Sequence, residues 1–173
     1  MRMKESFYWG KETMTKQRWI LVRHAKSDWN DPTLGDKDRP LNARGRKAAK
    51  LLGEKFLELD YVPERVLCSS AVRTQQTLKG LMQSWSQYSD QALPEILYFD
   101  ELYLAAPDVI RRNYIEHSGS SARVLTIGHN PGMELLASEL VGELIEMKTA
   151  HMVVFEREED GEWRLVENIR GED

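Results

Sequence analysis

The sequence predicts an α/β fold in three layers, a mainly parallel sheet flanked by helices and finished by an antiparallel edge strand. Three observations predict it. Short apolar, β-branched runs such as "WILV", "RVLC" and "VLTI" recur along the chain. Segments with helical spacing of apolar residues separate them. Two further apolar segments close the chain around a glycine-containing turn. Strands alternating with helices favour a parallel sheet covered on both faces.

The first strand is expected from about Arg18 to Val22, because it is short, apolar and β-branched. A polar loop with Pro32, Gly35 and Pro40 follows, and Asn42 is placed to cap a helix running to about Leu59. Ala48, Leu51, Leu52, Phe56 and Leu59 form its apolar stripe. "ERVLCSS" is the second strand, ending near Cys68, with Ser69 or Ser70 available to cap the next helix. That helix carries Leu78, Leu81, Met82 and Trp85 on one side. The third strand lies near Ile96 to Phe99, and Pro107 with Asp108 opens a helix through about His117. The fourth strand is Val124 to Ile127, and Asn130 is expected to cap a helix whose first residue is Pro131. "AHMVVFERE" and "EWRLVENI" form the closing hairpin around Glu159, Asp160 and Gly161.

A chain of 173 residues suits one domain, assigned to residues 14–173. Met1 to Thr13 is expected to be a disordered extension, or to precede a start at Met14. The net charge of −4 comes with both signs dispersed, so the basic footprint of a nucleic-acid binder is absent and no nucleic-acid partner is expected. Cys68 is the single cysteine, which excludes an intrachain disulfide and fits a reducing cytoplasm. No apolar run nears the roughly 18 residues of a membrane helix, and "MRMKESFYWGKETMTKQ" lacks the apolar centre of a secretory leader. A cytoplasmic protein without a membrane partner is the expectation.

In open α/β sheets ligands bind beyond the carboxyl ends of the strands. Arg23 and His24 follow the first strand, and "SSAVRTQQT" with Arg73 follows the second. Asp100 and Glu101 follow the third, and "GHNPG" with His129 follows the fourth. Two of the four histidines therefore stand at strand ends, with two arginines and two carboxylates. Phosphoryl transfer suits this set. Guanidinium forks hold a PO3 group, helix starts add N–H donors, and one imidazole can attack phosphorus. Neighbouring cations disfavour imidazolium and keep that nucleophile neutral. A second, protonated imidazole would stabilise equatorial oxygen charge.

These residues resemble the histidine phosphatase (phosphoglycerate mutase-like) superfamily. "LVRHAKSDWN" is similar to its R-H-G motif, with Ala25 in place of glycine. "SSAVRTQQT" is similar to its S-x-A-x-R-x-x-Q-T segment and "GHNPG" to its second-histidine motif. "RPLNARG" and "DELY" also stand where the superfamily has such segments. The resemblance runs from Arg18 to Phe155, and "RHAKS", "DRPLNARG" and "GHNPG" look closest to the SixA-like phosphohistidine phosphatase branch. It implies a phosphoglycerate mutase-like fold and His24 as nucleophile. Arg23, Arg73 and His129 would bind the phosphoryl group, Asn30 would contact phosphate, and Glu101, beside Asp100, would be the proton donor. The implied partner is a phosphorylated substrate, including a phosphohistidine-bearing protein. The extra methyl of Ala25 matters little if the backbone there does not need positive φ.

No H-x-H, H-E-x-x-H or Cys/His cluster exists, and arginines beside the imidazoles would repel a cation, so no metal or other cofactor is expected. "CSSAVR" lacks the glycines of a cysteine-phosphatase loop, so Cys68 is read as a packing residue. Lys26 and Arg39 are read as plain surface charge, with steering of anions to the mouth as the alternative. His117 is assigned to the helix dipole, and His151 to no function. The competing readings are a metabolite phosphomonoesterase or mutase, and a binding module without turnover. An intact nucleophile disfavours the binding module, and the short chain leaves a mutase little room for insertions that close over substrate.

Overall fold

The computed structural model describes residues 16–88, 92–159 and 161–171. The expected extension at Met1 to Thr13 lies outside them. The elements run β1 (Gln17–Arg23), α1 (Ala43–Glu58), β2 (Arg65–Ser69), α2 (Val72–Tyr88), β3 (Glu95–Phe99) and α3 (Pro107–His117). They continue with β4 (Arg123–Gly128), α4 (Gly132–Val141), β5 (His151–Arg157) and β6 (Arg164–Arg170). Short 3-10 turns occupy Asp36–Asp38 and Asp100–Leu102.

The strands form one six-stranded sheet in the order β3-β2-β4-β1-β5-β6. Pairings β2–β3, β2–β4 and β1–β4 are parallel, and β1–β5 and β5–β6 are antiparallel. The closing hairpin therefore supplies the antiparallel end of an otherwise parallel sheet. Within it, β5 alone opposes the direction of the other strands.

The apolar runs are continuous because the sheet is covered on both faces. Alternate residues of each strand divide between two cores, as the pleat requires. Ile20, Val22, Val66, Cys68, Leu125 and Ile127 join Leu52 and Phe56 of α1 and Leu78, Leu81 and Trp85 of α2. Trp19, Leu21, Leu67, Val124, Val153 and Phe155 join Ile110 and Tyr114 of α3 and Met133 and Leu136 of α4. Helices α1 and α2 approach closely at Gly80, where a Cβ would stand 2.6 Å from the Ala49 Cβ.

Asn42 caps α1 as expected, its side chain accepting from the Gly45 N–H at 2.8 Å. Two capping expectations need correction. Neither Ser69 nor Ser70 takes the position before α2. The chain runs two residues further to Ala71, because Ser69 is still paired in β2 and its carbonyl accepts from the Thr74 hydroxyl. Pro131, not Asn130, stands at the start of α4. The Asn130 amide does not cap the helix but donates to the Met147 carbonyl at 2.9 Å and to the Glu134 carboxylate of α4 at 3.3 Å.

Candidate active site

Strand order assembles the site. The chain leaves β1 for β2 and β3, then returns to lay β4 between β2 and β1. Arg23 pairs in register with Gly128, so His24 and His129 are the next residues on two neighbouring strands. The His24 N–H extends the ladder to the Gly128 carbonyl at 3.1 Å. Cys68 pairs with Ile127, so β2 ends beside them and the first turn of α2 delivers Arg73.

The side chains converge. The two imidazole rings lie 5.1 Å apart, centre to centre. Both are buried, as is Arg73. His24 Nδ1 lies 2.7 Å from the Ala25 carbonyl, which can only accept, so this nitrogen carries the proton. Nε2 carries the lone pair and accepts from the Arg73 Nε–H at 3.3 Å. His129 Nε2 is 2.8 Å from the Ser69 hydroxyl, and its Nδ1 is buried without a partner. Arg23 donates to the Met147 carbonyl at 2.9 Å, and its Nε is also buried and unpartnered.

A cavity of about 400 Å³ opens over these groups. Among the described residues Arg23, Lys26, Arg39 and Arg73 contribute four cations to its wall, and Asp36 is the one carboxylate there. The wall is thus positive in a chain of net charge −4, an arrangement that concentrates anions. A larger groove of about 640 Å³ lies between α2 and β3, but among the described residues its lining holds no histidine or arginine and only Lys79 as a charged group. The reactive groups belong to the smaller cavity.

Burial, more than any other influence, pushes His24 down to about 4, and the Arg73, Arg23 and Arg39 cations add to it. The Ala25 carbonyl works in the opposite direction and is outweighed. His129 is pushed to about 3, first by burial and then by His24 and Arg73. Both rings are therefore neutral at pH 7. Burial raises the Cys68 thiol far above its ordinary value, which removes it as a thiolate nucleophile and agrees with a packing role.

Ala25 is absent from the positive-φ residues, and its methyl packs with Leu41, Ala48, Ala49 and Ala150. The departure from glycine therefore costs no backbone strain. Leu104 and Ala150 do adopt positive φ, at 48° and 53°. Leu104 lines the cavity, and the Ala150 N–H bonds the His24 carbonyl. Non-glycine residues in this region are uncommon and gather at functional sites.

The structure brings Arg23, His24, Arg73 and His129 together. It does not bring Asn30 or Glu101 to the cavity. Asn30 is exposed on a turn, where its N–H bonds the Asp28 carboxylate. Glu101 is drawn towards α3 by the Asn113 amide at 2.8 Å and by Arg112. Asp100 is held by Lys37 at 2.7 Å and by the Ser70 hydroxyl.

Arg39 was read as surface charge and is not. It is buried, donates to the Ser27 hydroxyl at 2.8 Å, and its guanidinium stacks 3.4 Å from the Trp29 ring. Asp36 and Tyr103 belong to the two stretches, Ser27 to Leu41 and Tyr103 to Val109, that the sequence places at the mouth of the site without assigning either residue a role. The Asp36 carboxylate accepts from Arg39 at 2.8 and 3.1 Å, from Arg73 at 2.9 Å and from the Tyr103 hydroxyl at 2.5 Å. The Tyr103 hydroxyl foremost, with Arg39 and Arg73, holds this carboxyl well below the usual range. The sequence signal was present in "GDKDRPLNARG", a charged loop returning to a helix start, but its fold-back over the cavity is not a local property.

Known proteins resemble this chain in sequence and in fold. A family model described as the histidine phosphatase superfamily (branch 1) matches residues 19–100. An uncharacterised chloroplastic protein of Arabidopsis thaliana is 30% identical over 162 residues, 90% of this chain and 73% of its own. The crystal structure of "putative phosphohistidine phosphatase SixA" from Agrobacterium tumefaciens superposes with a TM-score of 0.75 at 28% identity, covering 88% of this chain and 97% of that one. A structure of the same description from Nakamurella multipartitia gives 0.78 at 24% identity, over 90% and 96% of the two chains.

Proposed function

From the premise that the chain belongs to the histidine phosphatase superfamily and is a phosphatase, we propose that it works without a metal, through a covalent phosphohistidine on His24. One observation carries this reading. A buried, neutral imidazole with its proton fixed on Nδ1 holds its Nε2 lone pair against the Arg73 guanidinium, in a cavity lined by four cations. Such a ring is a nucleophile at neutral pH, and the cations stabilise the negative charge spread over the three equatorial oxygens of a transferring phosphoryl group. His24 Nε2 forms a bond to phosphorus as the leaving group departs. Arg73, Arg23 and His129 grip the equatorial oxygens, with His129 gaining its proton only as the phosphoryl charge arrives. Water then attacks phospho-His24 and releases inorganic phosphate.

We assign the substrate to phosphohistidine on a protein. The likeness to the structure described as SixA supports this. So does the turning of Glu101 and Asp100 to other partners, because an imidazole leaves readily when its other nitrogen is protonated and an alkoxide does not. Rapid mixing with 32P-labelled phosphohistidine peptide, quenched in alkaline detergent, tests the chemistry in EDTA-treated protein. Label is expected on wild type and absent from His24→Ala. Absence of label on wild type, with no turnover of an aryl phosphate, overturns the catalytic reading. A kcat/KM higher for a sugar phosphate than for the phosphohistidine peptide overturns the substrate assignment alone.

A further inference from the structure

We propose that Asp36 sets leaving-group specificity: its carboxylate receives the ring N–H of a phosphoimidazole and disfavours phosphate esters whose alkoxide needs a proton. This rests on the phosphatase reading above and adds a residue to it.

Among the residues lining the cavity Asp36 is the one acid. The Arg73 guanidinium spans the distance between nucleophile and carboxylate. Its Nε faces His24 Nε2 at 3.3 Å, while Nη2 meets the Asp36 carboxylate at 2.9 Å and Nη1 the Asp36 carbonyl at 2.5 Å. An arriving phosphoryl group competes with Asp36 for that fork. Losing Arg73 does not release the carboxylate, because the Arg39 fork holds one oxygen and the Tyr103 hydroxyl the other. Asp36 therefore remains at the mouth, beside whatever substituent the phosphoryl group carries.

The electron count separates substrates. As His24 Nε2 bonds to phosphorus, the pair of the breaking P–N bond returns to the substrate's ring nitrogen. A ring protonated on its other nitrogen leaves as neutral imidazole, whereas an unprotonated ring leaves as imidazolate. A carboxylate accepting that N–H favours the protonated ring. An alkyl ester instead needs a proton delivered to oxygen. A carboxylate already bound by three donors has none to give, and its charge opposes the developing alkoxide.

The test compares wild type, Asp36→Asn and Asp36→Ser on a phosphohistidine peptide and an alkyl phosphate. Single-turnover rates of His24 phosphorylation are normalised to burst amplitude, so misfolded protein is not counted. The ratio of phosphohistidine to alkyl phosphate rates is expected to fall about tenfold or more in both variants. The alkaline limb of the phosphohistidine rate should move to lower pH, since removing the anion lowers the ring's pKa. An unchanged ratio, or a loss concentrated on the alkyl ester, overturns the assignment, the latter because it marks a proton donor. If wild type forms no phosphoenzyme at all, the phosphatase reading itself fails. If the phosphoenzyme forms and only the ratio stays still, Asp36 alone is misassigned.

Discussion

Replacing His24 by asparagine should make the protein less sensitive to acid. His24 is neutral and buried in the folded chain, with its pKa pushed from 6.5 to about 4. Once unfolded, the ring regains its ordinary pKa, so between those two values the unfolded state binds more protons than the native one. Stability then rises with pH and is lost as pH falls from 6.5 towards 4. Between pH 7 and pH 4.5 this displacement corresponds to a loss of about 2 kcal/mol, at roughly 1.4 kcal/mol per unit of pKa. His129 is displaced in the same direction chiefly by burial, which the substitution leaves in place, and loss of the His24 charge changes it only secondarily. Urea unfolding of wild type and His24→Asn at the two pH values measures the quantity directly. Wild type should lose about 2 kcal/mol more than the variant on acidification. A difference near zero, or a larger loss in the variant, would refute the buried neutral imidazole and with it the nucleophile as described. Long-range 15N spectra of the histidine rings give an independent check, with Nδ1 protonated and a midpoint near 4.

Arg73→Lys keeps a charge but loses the planar fork that contacts His24 and Asp36, and kcat/KM should fall about a hundredfold with little change in thermal stability. Gly80→Ala places a methyl 2.6 Å from the Ala49 Cβ at the α1–α2 contact, and a denaturant titration should show about 1–3 kcal/mol of destabilisation. Glu101→Gln should change kcat/KM by less than about threefold, because the carboxylate engages Asn113 and Arg112. A much larger loss would place Glu101 at the reacting atoms. Orthovanadate should raise the melting temperature of EDTA-treated wild type, and Arg73→Ala should abolish that rise, since a ligand stabilises only the state that binds it.

The alternation of elements was legible because burial on both faces turns a strand into an uninterrupted apolar run, while a helix on a sheet needs only one apolar stripe. The same local rule exposed Arg23, His24 and His129, polar residues standing where apolar runs stop. Arg73 was legible from its place at a helix start and from the resemblance of its segment. What local pattern could not contain is the strand order. β4 lies beside β1 because the chain returns between β2 and β1, and that choice puts two imidazoles 5.1 Å apart.

The cavity wall was decided in the same non-local way. Asp36 meets Arg73 across 37 positions of sequence and Tyr103 across 67. Arg39 is buried because Ser27 and Trp29 meet it from the strand-exit loop, and it looked like surface charge only while those neighbours were unknown. Glu101 and Asn30 show the opposite effect. A residue after a strand or inside a motif can still turn outward when an amide, a cation or a turn offers its polar atoms a nearer partner. Backbone periodicity, set by neighbours a few residues away, determined the scaffold and the places where chemistry could sit. Tertiary contacts decided which of the polar side chains there face one another, because hydrogen bonds and ion pairs are satisfied by whatever the fold brings within about 3 Å.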